Sequence, residues 1–559
     1  MEPRIGAFLD RPISHEMFSH PTLAPRTAGC SIRCPSVIRE RRRECCCWFS
    51  VRSVLTVVQR NLHPGRRTFV SEANPTPSIP DGGAPVPGSR TGIAKIIVRW
   101  VIVIGSGVLV LLAPVPEGIE QNAWHLLAIF VATMFGLVVQ PLPGGAMVLL
   151  GVAATAILGV LPPLTALAGY SDPVVWLVLT AFMIARGMIK SGFGRRLALI
   201  FIRFLGGTSL GLGYALAFTD GVLASVIPSN SARAGGTIFP LAKSIAESYG
   251  SRPGPTAERL GAFLMPLLYQ TDVIVCAIFL TGQASNPLIA DFAEQVTGEQ
   301  ISYLRWLLGG IVPGLISLLM VPYLMYRLFP PEVKHTPDAA RFARTELRTM
   351  GPLSRSEILM LCVFVVVFVL WLTPGLHGIS YTNVALLGLA LMLVTGVLTW
   401  QDVITEHTAW NVFVWYGGLL QLARLLGESG ITDWFAETTA GYMTGWSWQL
   451  ALAVLVLVYF YAHYAFASIT AHVSAMYIPF LVVAIAAGAP ALLAAMVLLY
   501  FSNLCASLTH YGTTPAPIFF GADYVTQGKW WRIGFVVSVA HILVWSVVGS
   551  LWWKMLGWW

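Results

Sequence analysis

The sequence predicts an all-α polytopic membrane protein: eleven transmembrane helices plus two re-entrant hairpins, arranged as inverted repeats. Three observations predict it. First, 56% of the 559 residues are hydrophobic and 11% are charged, with a mean hydropathy of +0.69; a soluble globular chain carries about 25% charge. Second, two long apolar stretches have a polar break at their centres. Third, a ten-residue pattern recurs with its flanking charge reversed. The 52 glycines and 19 tryptophans suit broken helices and interfacial aromatic belts. Eight cysteines are too few for a disulfide scaffold.

Residues 1–92 read as a disordered N-terminal extension. Positions 1–90 hold 13 Arg, no Lys and 7 acids, so most of the net charge of +8 belongs to this segment. It has no sustained apolar run and ends in NPTPSIPDGGAPVPGSR, too rich in Pro and Gly to pack. Abundant Arg fits a transit peptide, and seven acids oppose it. A nucleic-acid arm around RERRR has little support, so no nucleic-acid partner is expected. The adjacent thiols of Cys45, Cys46 and Cys47 lack zinc-site spacing.

Residues 93–559 form the membrane domain, embedded in the lipid bilayer. Spans of roughly 20 apolar residues fall near 95–113, 122–140, 145–160, 173–203, 258–291, 303–329, 356–373, 381–399, 409–427, 487–524 and 533–553. The broken stretches are 210–248 and 447–484. Basic loops follow the fourth span (Lys190, Arg195, Arg196, Arg203) and fill 330–355 (Lys334, Arg341, Arg344, Arg348, Arg355). Acidic loops carry Glu117 and Glu120; Asp291, Glu294 and Glu299; Glu428, Asp433 and Glu437. The positive-inside rule is satisfied by a cytoplasmic N-terminus, eleven crossings and two stretches that return on the side they entered.

IARGMIKSGF at 184–193 aligns with LARLLGESGI at 422–431. Arg195 and Arg196 follow the first copy, and Asp433 and Glu437 the second. Opposite flanking charge implies opposite insertion, so the repeats, about 122–329 and 381–557 joined by a cytoplasmic loop at 330–355, are inverted. Inverted repeats with broken helices near the midplane mark secondary transporters. Arg186 and Arg424 are repeat-related and near span ends, where snorkelling or helix-end pairing is expected.

The first break is ASVIPSNSARAGG, 224–236. Pro228 ends one helix, and Ser229 and Asn230 can cap the next. Such a turn offers free N–H groups and a positive helix end, a seat for a carboxylate. Its oxygens also suit a hard cation such as sodium; the bland alternative is a capped turn with no ligand. Arg233 either pairs with a substrate carboxylate or pins the hairpin. The second break is YAHYAFASITAHVSA, 461–475, where Ser468 and Thr470 correspond to Ser229 and Ser231, and Ile469 to Asn230. FLTGQASNPLIA (279–290) and THYGTTPAPIFFG (509–521) interrupt the spans that follow. There Gly282 allows close backbone approach, Asn286, Thr513 and Thr514 supply polar groups, and Pro287, Pro515 and Pro517 prevent regular helix. His463, His472 and His510 near the second turn raise the rival reading of an intramembrane metalloenzyme, although no HExxH motif occurs.

These breaks resemble the divalent anion:sodium symporter family of di- and tricarboxylate transporters, which carries a Ser-Asn-Thr motif at each of two hairpin tips. Here the motifs read Ser229-Asn230-Ser231 and Ser468-Ile469-Thr470. SNSARAGGTIFP, TGQASNP and FSNLCASLTHYGTTP are similar to the 2-oxoglutarate/malate translocator and citrate/succinate antiporter branch. The resemblance implies an elevator-type transporter, a homodimer, and no catalytic residues. It implies substrate contacts at Asn230, Ser231, Ser468, Thr470, Thr514 and Pro515, and a sodium site at Ser225, Ser229, Asn230 and Gly282. A second sodium site falls on Tyr464 and Ile469, which depart from the family pattern and favour exchange. Malate, 2-oxoglutarate, succinate, citrate and tartrate are the implied substrates; sodium-coupled symport and inorganic-anion transport are the alternatives. A bacterial inner membrane is favoured over the plastid inner envelope, because the extension makes a poor transit peptide.

Overall fold

In a computed structural model of the chain the described residues are 90–440 and 445–559, and they are helical almost throughout. The expected disordered extension lies, up to residue 89, outside the described residues. α1 (Arg90–Leu112) packs on α2 and presents Leu109 and Leu112 outward, as a lipid-facing helix does. A first series then runs α2 (Gln121–Val139), α3 (Gly144–Ile157), α4 (Pro163–Leu167), α5 (Pro173–Ser191), α6 (Phe193–Leu205), α7 (Ser209–Ala224), α8 (Asn230–Arg233), α9 (Phe239–Ser248), α10 (Gly261–Ile278), α11 (Ser285–Thr297) and α12 (Tyr303–Leu328). After α13 (Pro337–Met350) a second series follows: α14 (Arg355–Leu372), α15 (Pro374–His377), α16 (Tyr381–Val394), α17 (Trp400–Ile404), α18 (His407–Glu428), α19 (Ile431–Ala440), α20 (Trp448–Ala462), α21 (Ile469–Ala486), α22 (Ala491–Leu504), α23 (Pro515–Phe520), α24 (Gln527–Val544) and α25 (Ser550–Met555).

The two series repeat one another. α3 and α16 are both 14 residues long, and α4 and α17 both 5. α5 and α18 each end at a glycine with φ +77°, Gly192 and Gly430, the left-handed cap that glycine adopts without strain. The matched Ser-Gly of the sequence repeat is therefore a matched turn.

Two ion pairs fix the relative direction of the repeats. Arg186 on α5 lies 3.9 Å from Glu406, just before α18. Arg424 on α18 lies 2.7 Å from Asp172, the N-cap of α5. Each helix thus ends where its counterpart begins, so equivalent helices run antiparallel and the repeats are inverted. Both arginines pair at helix ends.

Four expected elements change form. The apolar run 173–203 divides at Gly192, because the left-handed cap turns the chain and α6 becomes a separate amphipathic helix. The polar segment 330–355 contains α13, which packs on α6 through buried Ala339 and Ala343; its otherwise polar surface hid it from a search for apolar runs. The runs 145–160 and 381–399 shorten to α3 and α16, about 21 Å each at 1.5 Å per residue, less than a hydrocarbon core of about 30 Å. Among the described residues, ten helices are long and apolar enough to cross a membrane, and they include both arms of the second hairpin, Trp448–Ala465 and Ile469–Ala486.

The centre is built on α10 and α22, the repeat-related helices that precede the two breaks. Every residue of α10 is buried, and all but two of α22. They pack on each other and on the hairpin arms α7, α20 and α21.

Candidate functional site: two hairpin turns and two broken helices

At the first hairpin, α7 ends at Ala224 and α8 begins at Asn230. Pro228 has no N–H, so the chain cannot continue as a regular helix. The Ser229 hydroxyl accepts from the Ala232 amide at 3.2 Å, a side-chain N-cap. Asn230 reaches across to the second broken helix. Its Nδ2 donates to Thr513 Oγ1 at 3.2 Å, and its Oδ1 accepts from Thr514 Oγ1 at 3.2 Å and from the Ser231 amide at 3.0 Å. Ser231 Oγ lies 3.4 Å from Ser229 Oγ.

Arg233 pins the hairpin; its guanidinium is taken up by acids, carbonyls and the Cys276 sulfur at 3.5 Å. Nε donates to Asp220 on α7 at 2.7 Å and Nη2 to Asp272 on α10 at 2.9 Å. Nη1 donates to the carbonyls of Ile227 at 2.8 Å and Gly282 at 2.7 Å. One wholly buried side chain thereby joins both arms of the turn, the central helix and the first break.

The breaks are alike. After α10 the chain makes a 3₁₀ turn at Leu280–Gly282, and after α22 another at Cys505–Leu508. Asn286 donates to the carbonyls of Cys276 and Phe279, satisfying backbone groups that lipid could not. Gln283 donates to Asn503 at 2.6 Å, tying one break to the helix that leads into the other.

At the second hairpin, His463 Nε2 meets the Gly512 carbonyl at 2.9 Å. A carbonyl only accepts, so Nε2 carries the proton and Nδ1 accepts from His472 Nδ1, 3.2 Å away. Tyr511 donates to the Tyr464 carbonyl at 3.0 Å. Residues 511–514 are therefore gripped from both sides, by His463 and Tyr464 of the second turn and by Asn230 of the first. Ser468 and Thr470 begin α21 half-buried, and their hydroxyls make no hydrogen bond to the first turn; Ile469 is buried. Pro515 is the first residue of α23. Thr514 is the exposed member of the group. His510 stands apart from the other two histidines, accepting from Trp531 Nε1 at 3.0 Å.

The oxygens of the expected sodium set already have partners. The Ser225 hydroxyl donates to the Val222 carbonyl, and its own carbonyl accepts from Tyr303. Ser229 and Asn230 are engaged as above, and a guanidinium sits on the Gly282 carbonyl. Sequence reasoning missed Asp220, Asp272 and the Gln283–Asn503 bridge. Acids inside apolar helices (AFTDGV, YQTDVI) were a readable signal, since intramembrane charges mark function.

The sequence profile of the sodium:sulfate symporter transmembrane region matches residues 94–559. This chain belongs to that family. These are the divalent anion:sodium symporters expected from the hairpin motifs, and the protein is a multi-pass membrane transport protein rather than an enzyme. Among relatives, YflS of Bacillus subtilis is 47% identical over 464 residues, 83% of this chain and 97% of its own. Dicarboxylate transporter 1, chloroplastic, of Arabidopsis thaliana is 44% identical, over 88% of each chain. The citrate/succinate antiporter of Escherichia coli is 36% identical, over 84% of this chain and 99% of its own. The symporter family thus has bacterial and chloroplast members at this distance, one for each membrane weighed above.

Proposed function

We propose that this protein is a secondary active exchanger of di- and tricarboxylates such as malate, 2-oxoglutarate, succinate, citrate or tartrate. The names of the Arabidopsis and Escherichia coli relatives support the substrate class. The observation that carries exchange over sodium coupling is Arg233 Nη1 on the Gly282 carbonyl at 2.7 Å. A guanidinium built into the fold already meets that carbonyl, so no cation need be taken up from solution to meet it.

The substrate carboxylates are held by Asn230, Ser231, Ser468, Thr470, Thr514 and the backbone at Pro515. These groups are dipoles and hydroxyls, so ligand can leave on either side. With no substrate, unpaired turn groups must cross a low-dielectric barrier at several kcal/mol each; bound dicarboxylate offsets that cost. The empty carrier therefore crosses slowly and transport becomes obligatory exchange. A homodimer is part of this reading, and mass measurement of the purified protein in detergent tests it.

In proteoliposomes, uptake of labelled malate should require internal dicarboxylate and be unchanged when sodium is replaced by potassium. Sodium-driven uptake into empty vesicles would establish symport instead, and competition by sulfate but not by dicarboxylates would move the substrate to inorganic anions.

A further inference from the structure

Arg233 is flanked by two acids. Side-chain exposure is 0% for the arginine, 5% for Asp220 and 3% for Asp272. Each acid gives one oxygen, Oδ1, to the guanidinium. Each keeps a second oxygen, Oδ2, that is buried and has no donor. The two carboxyls thus meet on a single guanidinium, at 2.7 and 2.9 Å.

The remaining titratable groups facing the cluster are neutral. Cys276, a helical turn beyond Asp272, directs its thiol to the Gly282 carbonyl at 3.3 Å and lies 3.9 Å from Asp272 Oδ1. Tyr269, also on α10, donates to the Ala506 carbonyl at 2.6 Å. Tyr303 of α12 donates to the Ser225 carbonyl. The α6 arginines point elsewhere, Arg195 to Glu346 and Arg196 to Glu357. Among the described residues, two carboxyls therefore share one guanidinium.

Were both ionised, the cluster would carry a net negative charge in the protein interior, with two buried anionic oxygens given no donor. An uncompensated buried ion costs several kcal/mol, and like charges this close do not both ionise. We propose that Asp220 and Asp272 share one bound proton, forming a buried proton site that keeps the Arg233 anchor electrically neutral. The proton is taken from water. It forms an O–H bond on one of the two carboxyls, whose Oδ2 atoms are free of donors, leaving one acid, one carboxylate and one guanidinium.

Neutrality matters because this cluster sits behind the first turn, and Arg233 lies three residues past Asn230. A neutral anchor crosses the bilayer with the hairpin without adding charge. Removing the proton at alkaline pH places a negative charge behind a turn that receives an anion, so exchange falls. The proton rides in both directions, so exchange carries no net proton.

Infrared difference spectroscopy of the full chain in lipid vesicles tests the site without relying on transport. The wild type should show a protonated-carboxyl band at neutral pH. That band should lose the same component in Asp220→Asn and in Asp272→Asn, because the remaining acid ionises against Arg233. Asp291, which accepts from Tyr416, is retained in both variants and cancels. In proteoliposomes with equal pH on both sides, each single variant should retain exchange within about threefold and lose the alkaline decline, whereas the double variant should fall about tenfold or more, the equivalent of 1.4 kcal/mol. The proposal is overturned if the band is identical in wild type and both single variants, or if the alkaline decline survives in them. If neither variant accumulates, titration of the wild type decides: the band and exchange should decline together, and a constant band while exchange falls overturns the site.

Discussion

Gly282 and Gly512 stand at the same step of the two breaks. A Cβ on Gly282 would lie 2.5 Å from Cys276 Cα, and one on Gly512 would lie 2.7 Å from the Ala506 carbonyl oxygen. Each glycine lets the chain fold back onto the helix it has just left. Each carbonyl is then taken by a hairpin side chain, Arg233 at 2.7 Å and His463 at 2.9 Å. The inverted repeat is thus expressed at the level of single hydrogen bonds, with different chemistry on its two sides.

Gly282→Ala and Gly512→Ala should each force the break open against backbone that cannot yield. Overpacking of this kind costs about 1–3 kcal/mol. Thermal unfolding in detergent should shift down for both variants, and exchange should fall with it. Wild-type stability in either would show that the break can relax.

Asn230 bonds the first hairpin turn to the second broken helix at Thr513 and Thr514. Asn230→Ala should abolish exchange while expression and melting temperature stay near wild type. Thr513→Val removes one acceptor from a buried amide, a cost of about 1–3 kcal/mol, and should reduce exchange several-fold. Normal uptake by Asn230→Ala would remove that residue from the site.

The Arg424–Asp172 pair should show coupling of about 1 kcal/mol in a double-mutant cycle of unfolding, the upper range for partly exposed pairs. Arg424 is partly exposed and Asp172 nearly buried. Exchange by Arg424→Ala should survive, because neither group touches the turns; an exchange defect with intact folding would assign Arg424 a role in binding.

Asp402, outside the spans, is held at about 2. Burial alone would raise it, but hydrogen bonds from Lys190 and Thr399 outweigh that. A carboxyl lowered on folding contributes stability above its unfolded value, about 3.9, and that contribution fades as pH falls toward 2. Asp402→Asn should therefore narrow the difference in melting temperature between neutral pH and pH below 4. An unchanged acid dependence would show that the α5–α17 contact adds nothing.

The arrangement of the polar breaks was legible because lipid leaves the backbone few options: a proline and a run of Ser and Asn inside an apolar stretch must mark a turn. The repeat was legible for a related reason. Gly192 and Gly430 need a left-handed cap, so the Ser-Gly pairs persist where apolar residues drift freely. α13 escaped because its buried face is two alanines, and apolar-run searches do not register so narrow a stripe.

By itself, the sequence determined the class of the protein, the order of its breaks and the opposed direction of its repeats, since these follow from local composition and flanking charge. Only the tertiary structure decided what Arg233 does. Its partners come from α7, from α10 and from a carbonyl beyond the next break, separations that no local pattern encodes. Burial inside a low-dielectric core makes that choice compulsory: a guanidinium placed there must meet acids and carbonyls, and the Gly282 carbonyl is among those it meets.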